Sequence, residues 1–315
     1  MERRSTVTAG AFVAMSVLAG ANAVGVRFSN RELAPLWGGG LRFGLAAVVL
    51  LVAAMLLRMP LPRGVALARV VLYGVLNFGL AFGLIYLALV GLQAGLGQTL
   101  LALVPLLTLM LAVAEHQERL ASGALLGGLL AVVGVAVMSG GGIAQVESVL
   151  PVLAVVGAAA LFAQGTIVLH TVPGAPHPVA VNAVAMAAGA PMLLVASLVA
   201  DEPWSLPSRQ TTWIALGYLV AIGSVLVFVL YAFLLERWPA SRSAYVFVVI
   251  PLVTIALSAL LDGERITPWL LVGGALILSG VYLGALRGGR GTVKPGEPRS
   301  GRPEHEARCS HGGWC

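Results

Sequence analysis

A segment of 42 residues occurs twice in the chain. Residues 94–135 align with residues 240–281 at a constant offset of 146 and without a gap, and 13 of the aligned positions are identical. Because Leu, Ala and Val dominate both copies, roughly a third of these identities can arise from composition alone. The more distinctive shared residues are Pro105 with Pro251, Thr108 with Thr254, Glu118-Arg119 with Glu264-Arg265, and Gly127-Gly128 with Gly273-Gly274. The pattern indicates an internal duplication.

The composition places both copies in a membrane. Of the 315 residues, 59% are hydrophobic and 10% are charged, whereas a soluble domain carries about 25% charged residues. A soluble fold cannot bury so much apolar surface and still cover its exterior with polar groups. We therefore expect an integral membrane protein that contacts the lipid bilayer.

Ten apolar stretches have the length of a membrane span. A hydrocarbon core about 30 Å thick requires about 20 residues of α-helix. The predicted spans are residues 7–27, 34–57, 69–91, 93–113, 121–139, 149–169, 178–199, 212–234, 240–261 and 267–286. The sequence thus predicts an all-α polytopic membrane protein with ten transmembrane helices, five in each half.

An odd number of spans in each half fixes how the halves are related. Residues 1–139 form the first predicted five-helix repeat and residues 149–286 the second. Since five crossings end on the opposite side of the membrane, the second repeat is inverted relative to the first. Inverted repeats place a substrate site near the bilayer midplane and give alternating access by exchanging conformations. Residues 287–315 are rich in Gly, Pro, Arg and Glu and predict a disordered cytoplasmic tail.

The distribution of basic residues predicts the orientation, because Lys and Arg concentrate on the cytoplasmic side. With the N-terminus inside, the cytoplasmic segments hold 14 basic residues and the outer loops hold four; without the two termini the contrast narrows to six against four. Both termini are therefore predicted to lie in the cytoplasm, and the protein in the cytoplasmic membrane. The net charge of +6 needs no nucleic acid as a partner, since arginines beside anionic lipid headgroups account for it.

A few polar side chains lie deep inside the predicted spans. An unpaired amide in apolar surroundings costs on the order of a kcal/mol or more, so these groups should face protein or water. Arg42 lies about 12 Å along the second span at 1.5 Å per residue. It either snorkels to the outer interface or faces a central cavity, where an anionic substrate group or helix-end carbonyls would bind it.

These polar residues and two tyrosines are the predicted substrate contacts. They are Asn22, Arg42, Asn77, Tyr86, Gln98, Gln164 and Tyr245. For each amide the alternative is a hydrogen bond between helices, and for each aromatic ring it is core packing. Asn22 and Gln164 fall at similar depth in the first helices of the two halves, which favours two sides of one cavity.

Pro105 and Pro251 lie near the centres of the fourth and ninth spans. A proline inside a helix removes a backbone donor and frees the carbonyl four residues earlier, here that of Leu101 or Phe247. Such a carbonyl can face a cavity, or a neighbouring helix can satisfy it. The matched positions predict a hinge or kink in each half, with a simple packing kink as the alternative.

Motifs for chemical catalysis are missing from the sequence. The one lysine, Lys294, lies in the tail, so the chain has no Walker A phosphate loop and is not expected to hydrolyse ATP. There is no His-Glu cluster and no Gly-x-Ser-x-Gly motif. No carboxylate lies within a predicted span, so coupling to a proton or another ion stays open. The sequence predicts no enzyme, no metal site and no cofactor.

The chain resembles a known family of carriers. Both copies share the pattern Pro-x2-Thr-x9-Glu-Arg followed by Gly-Gly-x5-Gly. Three further stretches carry the resemblance: Gly20-Ala21-Asn22-Ala23-Val24-Gly25-Val26-Arg27-Phe28, Leu41-Arg42-Phe43 and Ala240-Ser241-Arg242. In these features the chain is similar to the EamA-type branch of the drug/metabolite transporter superfamily. The resemblance implies a ten-helix carrier with cytoplasmic termini and a central cavity.

Together these features predict a secondary transporter that uses no ATP. We expect it to export a small organic metabolite, amino acid or drug by alternating access. A membrane channel and a flippase for a lipid-linked substrate are the alternatives, because neither an opening to both sides nor a lateral opening between helices can be read from sequence. The solute, the coupling ion and the oligomeric state stay open.

Overall fold

The protein is a bundle of helices. The computed structural model describes residues 2–114, 123, 126–130, 133–134, 137, 149–174, 176–235 and 246–283. The α-helices are α1 (Glu2–Asn30), α2 (Pro35–Leu56), α3 (Val65–Gly74), α4 (Phe82–Gly91), α5 (Ala94–Leu101), α6 (Val104–Ala114), α7 (Leu150–His170), α8 (Pro178–Val199), α9 (Gln210–Val220), α10 (Val227–Leu235), α11 (Val246–Leu261) and α12 (Pro268–Val281). Two segments are π-helical: Val75–Ala81 joins α3 to α4, and Ala221–Leu226 joins α9 to α10.

The prediction of a helical, multi-pass membrane protein is confirmed. Within the described residues, six helices are long and apolar enough to cross a membrane: Gly10–Asn30, Pro35–Leu56, Val65–Gly91, Leu150–Leu169, Pro178–Val199 and Gln210–Tyr231. Shorter apolar helices are Ala94–Thr108, Val249–Leu261 and Pro268–Gly280. The outer surface of the bundle is apolar: Leu56, Val199 and Leu260 are 77%, 83% and 80% exposed.

Some of the predicted features fall on residues that the structure does not describe. Most of the predicted fifth span (residues 121–139), the Glu118-Arg119 turn, Tyr245 and the tail (residues 287–315) lie outside the described residues. The arrangement of ten helices in two inverted repeats therefore stays a prediction.

Proline and capping residues set the starts of several helices. α2 and α8 begin with Pro35 and Pro178, at a position where a backbone N–H would have no helical partner in any case. Thr267 caps α12 by accepting a hydrogen bond from the N–H of Leu270 at 3.2 Å. These local signals explain why the predicted and observed starts of these three helices agree within one residue.

The two π segments lie at matching positions in the two halves. The offset of 146 that relates residues 94–135 to 240–281 also carries Val75 onto Ala221, the first residues of the π segments. π turns are rare in proteins, and those that do occur often lie at functional sites. The helix continues on both sides of the first one, so Val65–Gly91 forms one span.

Small residues let α3 and α8 approach closely. A Cβ built on Gly74 would lie 2.7 Å from the backbone Cα of Ala185. On α8, a Cβ built on Gly189 would lie 2.6 Å from the Cβ of Phe78 and 2.8 Å from the carbonyl oxygen of Gly74. Lipid is as apolar as these side chains, so close packing of this kind is a main source of helix association in a membrane.

The bundle has two ends with different polar contacts. Turns 31–34, 92–93, 200–209 and 262–267 meet at one end, named here the Asp262 end. Residues 57–64, 171–174 and 176–177 lie at the other, named the Pro176 end, where Arg69 donates a hydrogen bond to the carbonyl of Thr171. This grouping is the one expected of helices that alternate in direction.

Carboxylates tie the turns of the Asp262 end to helix starts. Glu264 accepts a hydrogen bond from the N–H of Ala94, the first residue of α5, at 2.8 Å. Glu202 accepts one from the N–H of Trp37 near the start of α2, at 2.9 Å. The first N–H groups of a helix lack helical partners and lie at its positive end, so a carboxylate there is favourable.

Glu32 links the turn after α1 to the segment before α9. Its carboxylate accepts hydrogen bonds from the N–H groups of Ser208, at 2.7 Å, and Arg209, at 3.2 Å. Hydrogen bonds from the side chains of Ser208 and Thr212, the largest causes, lower the pKa of Glu32 from 4.5 to about 2. A lowered pKa in the folded protein means that this contact stabilises above about pH 4.5 and is lost as the pH falls toward 2.

Ion pairs join α1 to the turn between α11 and α12. The Nε of Arg27 lies 2.8 Å from a carboxylate oxygen of Asp262 and 3.2 Å from one of Glu264. Arg31 also pairs with Asp262. The side chains of Asp262 and Glu264 are 1% and 7% exposed, so these pairs are less screened than surface pairs. They hold the Asp262 end of the bundle together.

Candidate functional site

A cavity of about 440 Å³ lies inside the bundle. It extends from Arg42 and Gln98 toward the Pro176 end, where Pro176 and Pro178 line it. The side chains around it come from α1 to α8, from α10 and α11, and from the first π segment. Residues from both halves of the sequence therefore form a single cavity.

Arg42, on α2, is fully buried in the wall of this cavity. Its Nε donates to the Oγ of Ser224 at 2.9 Å, and its Nη2 donates to the carbonyl of Gly223 at 3.2 Å. Its Cζ lies 4.8 Å and 5.3 Å from the ring centroids of Phe43 and Phe82, within the range of cation–π attraction. The Nη1 has no hydrogen-bond partner among the described residues. The alternative that Arg42 snorkels to the interface is wrong, because its side chain turns into the bundle.

Asn22 meets Arg42 at the same carbonyl. Its Nδ2 donates to the Gly223 oxygen at 3.3 Å, and this bond sets the orientation of the amide. The Oδ1 is buried and lacks a partner among the described residues. A Cβ built on Gly223 would collide with this Oδ1 and would lie 3.3 Å from the Nη2 of Arg42. The second π segment needs glycine here because two side chains approach its backbone.

A second Asn–Gly contact lies in the opposite half. Asn77 is in the first π segment, at the position that the offset of 146 carries onto Gly223. It lies against Gly165 of α7, where an added Cβ would be 2.8 Å from the Asn77 Cγ. Each π segment thus meets the first helix of the other half through one asparagine and one glycine, with the two residue types exchanged.

Aromatic rings form much of the remaining wall. Tyr73, Phe82, Phe162, Phe228 and Tyr231 line the cavity. The ring centroids of Phe82 and Phe162 are 5.2 Å apart in an edge-to-face arrangement, which is favourable for aromatic pairs. This wall suits the apolar part of an organic solute.

The other predicted site residues occupy different places. Gln98 and Asn77 line the cavity together with Asn22 and Arg42. Tyr86 is fully buried outside the lining, where its hydroxyl faces Arg42. Gln164 is partly buried on α7, between two lining residues but outside the lining itself. Tyr245 lies outside the described residues.

The two predicted hinge prolines differ in their surroundings. Residues 102–103 interrupt the helix just before Pro105 and separate α5 from α6. Pro251 lies inside α11, which is continuous from Val246 to Leu261. The interruption in the first half therefore has no counterpart in the described part of the second.

Sequence reasoning missed Ser224 and the Gly223 carbonyl, the two groups that hold Arg42. A backbone carbonyl leaves no mark on a sequence, and an apolar helix gives no sign of a π turn. The adjacent pair Gly223-Ser224 inside the eighth predicted span is the one usable signal, because small residues in a span allow close approach.

The cavity combines a single formal charge with apolar walls. Arg42 is the one charged side chain among the described lining residues, and the ion pairs between described residues lie at the Asp262 end. A guanidinium matches the geometry of a carboxylate. The described residues contain no cluster of His, Cys, Asp or Glu that could hold a metal ion. The site can hold an anionic head group while its aromatic rings pack against an apolar body.

Comparison with known proteins gives relatives over most of the chain. It is 28% identical over 282 residues to a protein of Escherichia coli (strain K12) named "Probable amino-acid metabolite efflux pump", covering 85% of this chain and 91% of the relative. It is 27% identical over 269 residues to the "Uncharacterized inner membrane transporter YedA" of the same strain, covering 84% and 86%. An "Uncharacterized transporter" of Archaeoglobus fulgidus is 24% identical over 265 residues, covering 82% and 91%.

A solved crystal structure has the same fold. It aligns with a TM-score of 0.63 and 18% sequence identity over 90% of this chain and 99% of the other. The model of the EamA-like transporter family matches twice, at residues 7–140 and 149–285. These two matches cover most of the chain, and the resemblance found in the sequence is confirmed. The protein is a member of the EamA-like transporter family.

Proposed function

We propose that the protein is a secondary transporter that exports a small organic metabolite by alternating access between two inverted halves. The observation that carries the proposal is the internal cavity, in which Arg42 from the first family match binds Gly223 and Ser224 from the second. A solute that binds Arg42 there contacts both halves at once. Their relative movement can then expose it to one side of the membrane or the other.

The names of the relatives support the choice of solutes to test. A similar protein carries the name of an amino-acid metabolite efflux pump, and amino acids, like many metabolites, bear a carboxylate that a guanidinium can bind. Amino acids, related organic acids and small drugs are therefore the classes to screen. The orientation with both termini in the cytoplasm remains part of the proposal.

Counterflow in reconstituted vesicles tests the proposal. The purified protein is first screened against these solute classes by thermal shift. Vesicles loaded with a stabilising solute should then take up the labelled form faster than unloaded vesicles, with saturation, because a carrier returns more quickly when loaded. A channel would give unsaturable flux without counterflow, and flux equal to that of protein-free vesicles would contradict transport of that solute.

The ion pairs at the Asp262 end predict how this end opens. Alternating access requires Arg27 and Arg31 to separate from Asp262, so Asp262→Asn should favour the opened end. Ser29, which is fully buried nearby, can be replaced with Cys as a reporter after Cys309 and Cys315 are changed to Ser. In detergent, maleimide should label this cysteine about tenfold faster or more in Asp262→Asn. The free energy that the substitution removes from the closed end should be less than the ~3 kcal/mol lost when a fully buried ion pair is broken, because both arginines are partly solvated.

Asp201→Asn is the matched control for this measurement. Asp201 is an exposed carboxylate at the same end of the bundle and forms no ion pair with a described residue. Its substitution should leave the labelling rate of the cysteine at position 29 unchanged. Equal rates in Asp262→Asn and the parent protein would remove these ion pairs from the transport cycle.

A further inference from the structure

The charge of the cavity restricts the charge of its cargo. All 13 acidic residues of the chain lie outside the ten predicted spans, and the described lining residues include no carboxylate. Arg42 therefore brings into the bundle a positive charge that has no counter-charge among the described residues. A guanidinium keeps its proton under all physiological conditions, and an ionised group inside a membrane is costly without a partner.

The neutral groups around Arg42 leave this charge in place. The Gly223 carbonyl and the Ser224 hydroxyl accept hydrogen bonds from it, and the nearby rings attract it. None of these partners carries a negative charge. A zwitterion in the cavity would leave the loaded site with a net charge of one, whereas an anion with a single charge would leave it neutral. The lower cost of burying a neutral complex favours the anion.

Two unpartnered atoms define the head group more closely. Among the described residues, the Nη1 of Arg42 has no acceptor and the Oδ1 of Asn22 has no donor. The Tyr86 hydroxyl, which faces Arg42, also has no hydrogen-bond partner among them. Both side chains, those of Arg42 and Asn22, bind the same carbonyl, that of Gly223, and both residues line the cavity. A carboxylate with a neighbouring hydroxyl or amide N–H would satisfy both atoms together.

We infer that the cargo is an organic monoanion, a 2-hydroxy or N-acylamino monocarboxylate with an apolar body, and that the membrane potential drives its export. This inference rests on the transport function proposed above. An empty carrier returns with the charge it started with, so one turnover moves only the charge of the cargo. Where the cytoplasm is negative, outward movement of an anion releases the electrical free energy of one charge crossing the membrane. Export then needs no coupling ion.

A matched pair of probes tests the charge of the cargo. 3-Phenyllactate and phenylalanine share one carbon skeleton and differ in a hydroxyl against an ammonium group, so their net charges at pH 7 are −1 and 0. Vesicles containing the wild-type protein and valinomycin are given a tenfold potassium gradient, with the higher concentration outside, which makes the interior positive. Labelled 3-phenyllactate should accumulate to about tenfold, because a monovalent anion distributes with the potential. Reversal of the gradient should exclude it, and protein-free vesicles should show neither effect.

The outcomes separate this inference from the proposed function. Accumulation of 3-phenyllactate together with little flux of phenylalanine supports the monoanion. Preferred transport of phenylalanine, or 3-phenyllactate flux that ignores the potential, overturns it while transport stands. Failure of both probes in vesicles that still show counterflow of another solute also overturns it. Absence of counterflow with every solute contradicts the transport function itself.

Discussion

Replacing Arg42 with Gln should abolish saturable transport without unfolding the protein. The variant removes the charge and the free Nη1 that we assign to the cargo carboxylate. Loss of a buried, hydrogen-bonded partner for a charge typically costs about 2 to 5 kcal/mol, which corresponds to a loss of apparent affinity of about 25-fold or more at 1.4 kcal/mol per tenfold. Vesicle counterflow with a solute that the wild-type protein carries measures the loss.

The thermal stability of this variant distinguishes a binding role from a structural one. Arg42 carries no counter-charge among the described residues, so its removal relieves the cost of a buried cation instead of breaking an ion pair. The midpoint of thermal unfolding should therefore stay the same or rise. Arg63→Gln, at an exposed position in the turn before α3, should preserve both transport and stability. A variant at position 42 that unfolds more easily and still transports would reverse the assignment.

Replacing Gly74 with Ala should strongly destabilise the bundle. The new methyl group would lie against the backbone of Ala185, with 2.7 Å to its Cα, and backbone cannot move aside as the end of a side chain can. Overpacking of this kind costs about 1 to 3 kcal/mol or more, because α3 and α8 must separate. A lowered midpoint of thermal unfolding in detergent measures the effect.

Gly44→Ala is the control that separates packing from helix propensity. Gly44 lies inside α2, and a Cβ built there has no atom within 4 Å. Alanine favours a helix over glycine by about 1 kcal/mol, so this substitution should be neutral or stabilising. If both glycine variants lowered the midpoint equally, the close contact between α3 and α8 would not be the cause.

The positions of most helices were predictable from length and composition, because lipid demands a continuous apolar stretch with its backbone bonded internally. In the structure, Pro35, Pro178 and Thr267 stand at the starts of three of these helices. The break between α5 and α6 near Pro105 was also indicated, since proline cannot donate to the preceding turn. The π segments could not be predicted, because each lies inside a stretch that the sequence presents as one continuous span, residues 69–91 and 212–234.

The candidate site was predictable only in part. The cost of polar groups in lipid pointed to Asn22, Arg42, Asn77 and Gln98, all of which line the cavity. Tyr86 lies outside the lining because the rotation of a helix about its axis depends on packing that a sequence does not display. The contacts of Arg42 join residues more than 180 positions apart, a separation at which a single sequence gives no pairing information.

The π segments set the phase of the helices that follow them. One additional residue in a turn rotates everything beyond it by about 100° relative to an unbroken α-helix. Phe82 follows the first π segment and faces the interior, as Phe228 and Tyr231 do after the second π segment. Deletion of one residue from one π segment would rotate the rings of that half toward lipid, while the rings of the other half would still face the interior. Because each half contains a π segment at the matching position, the helices that follow in both halves can turn their rings toward the same cavity.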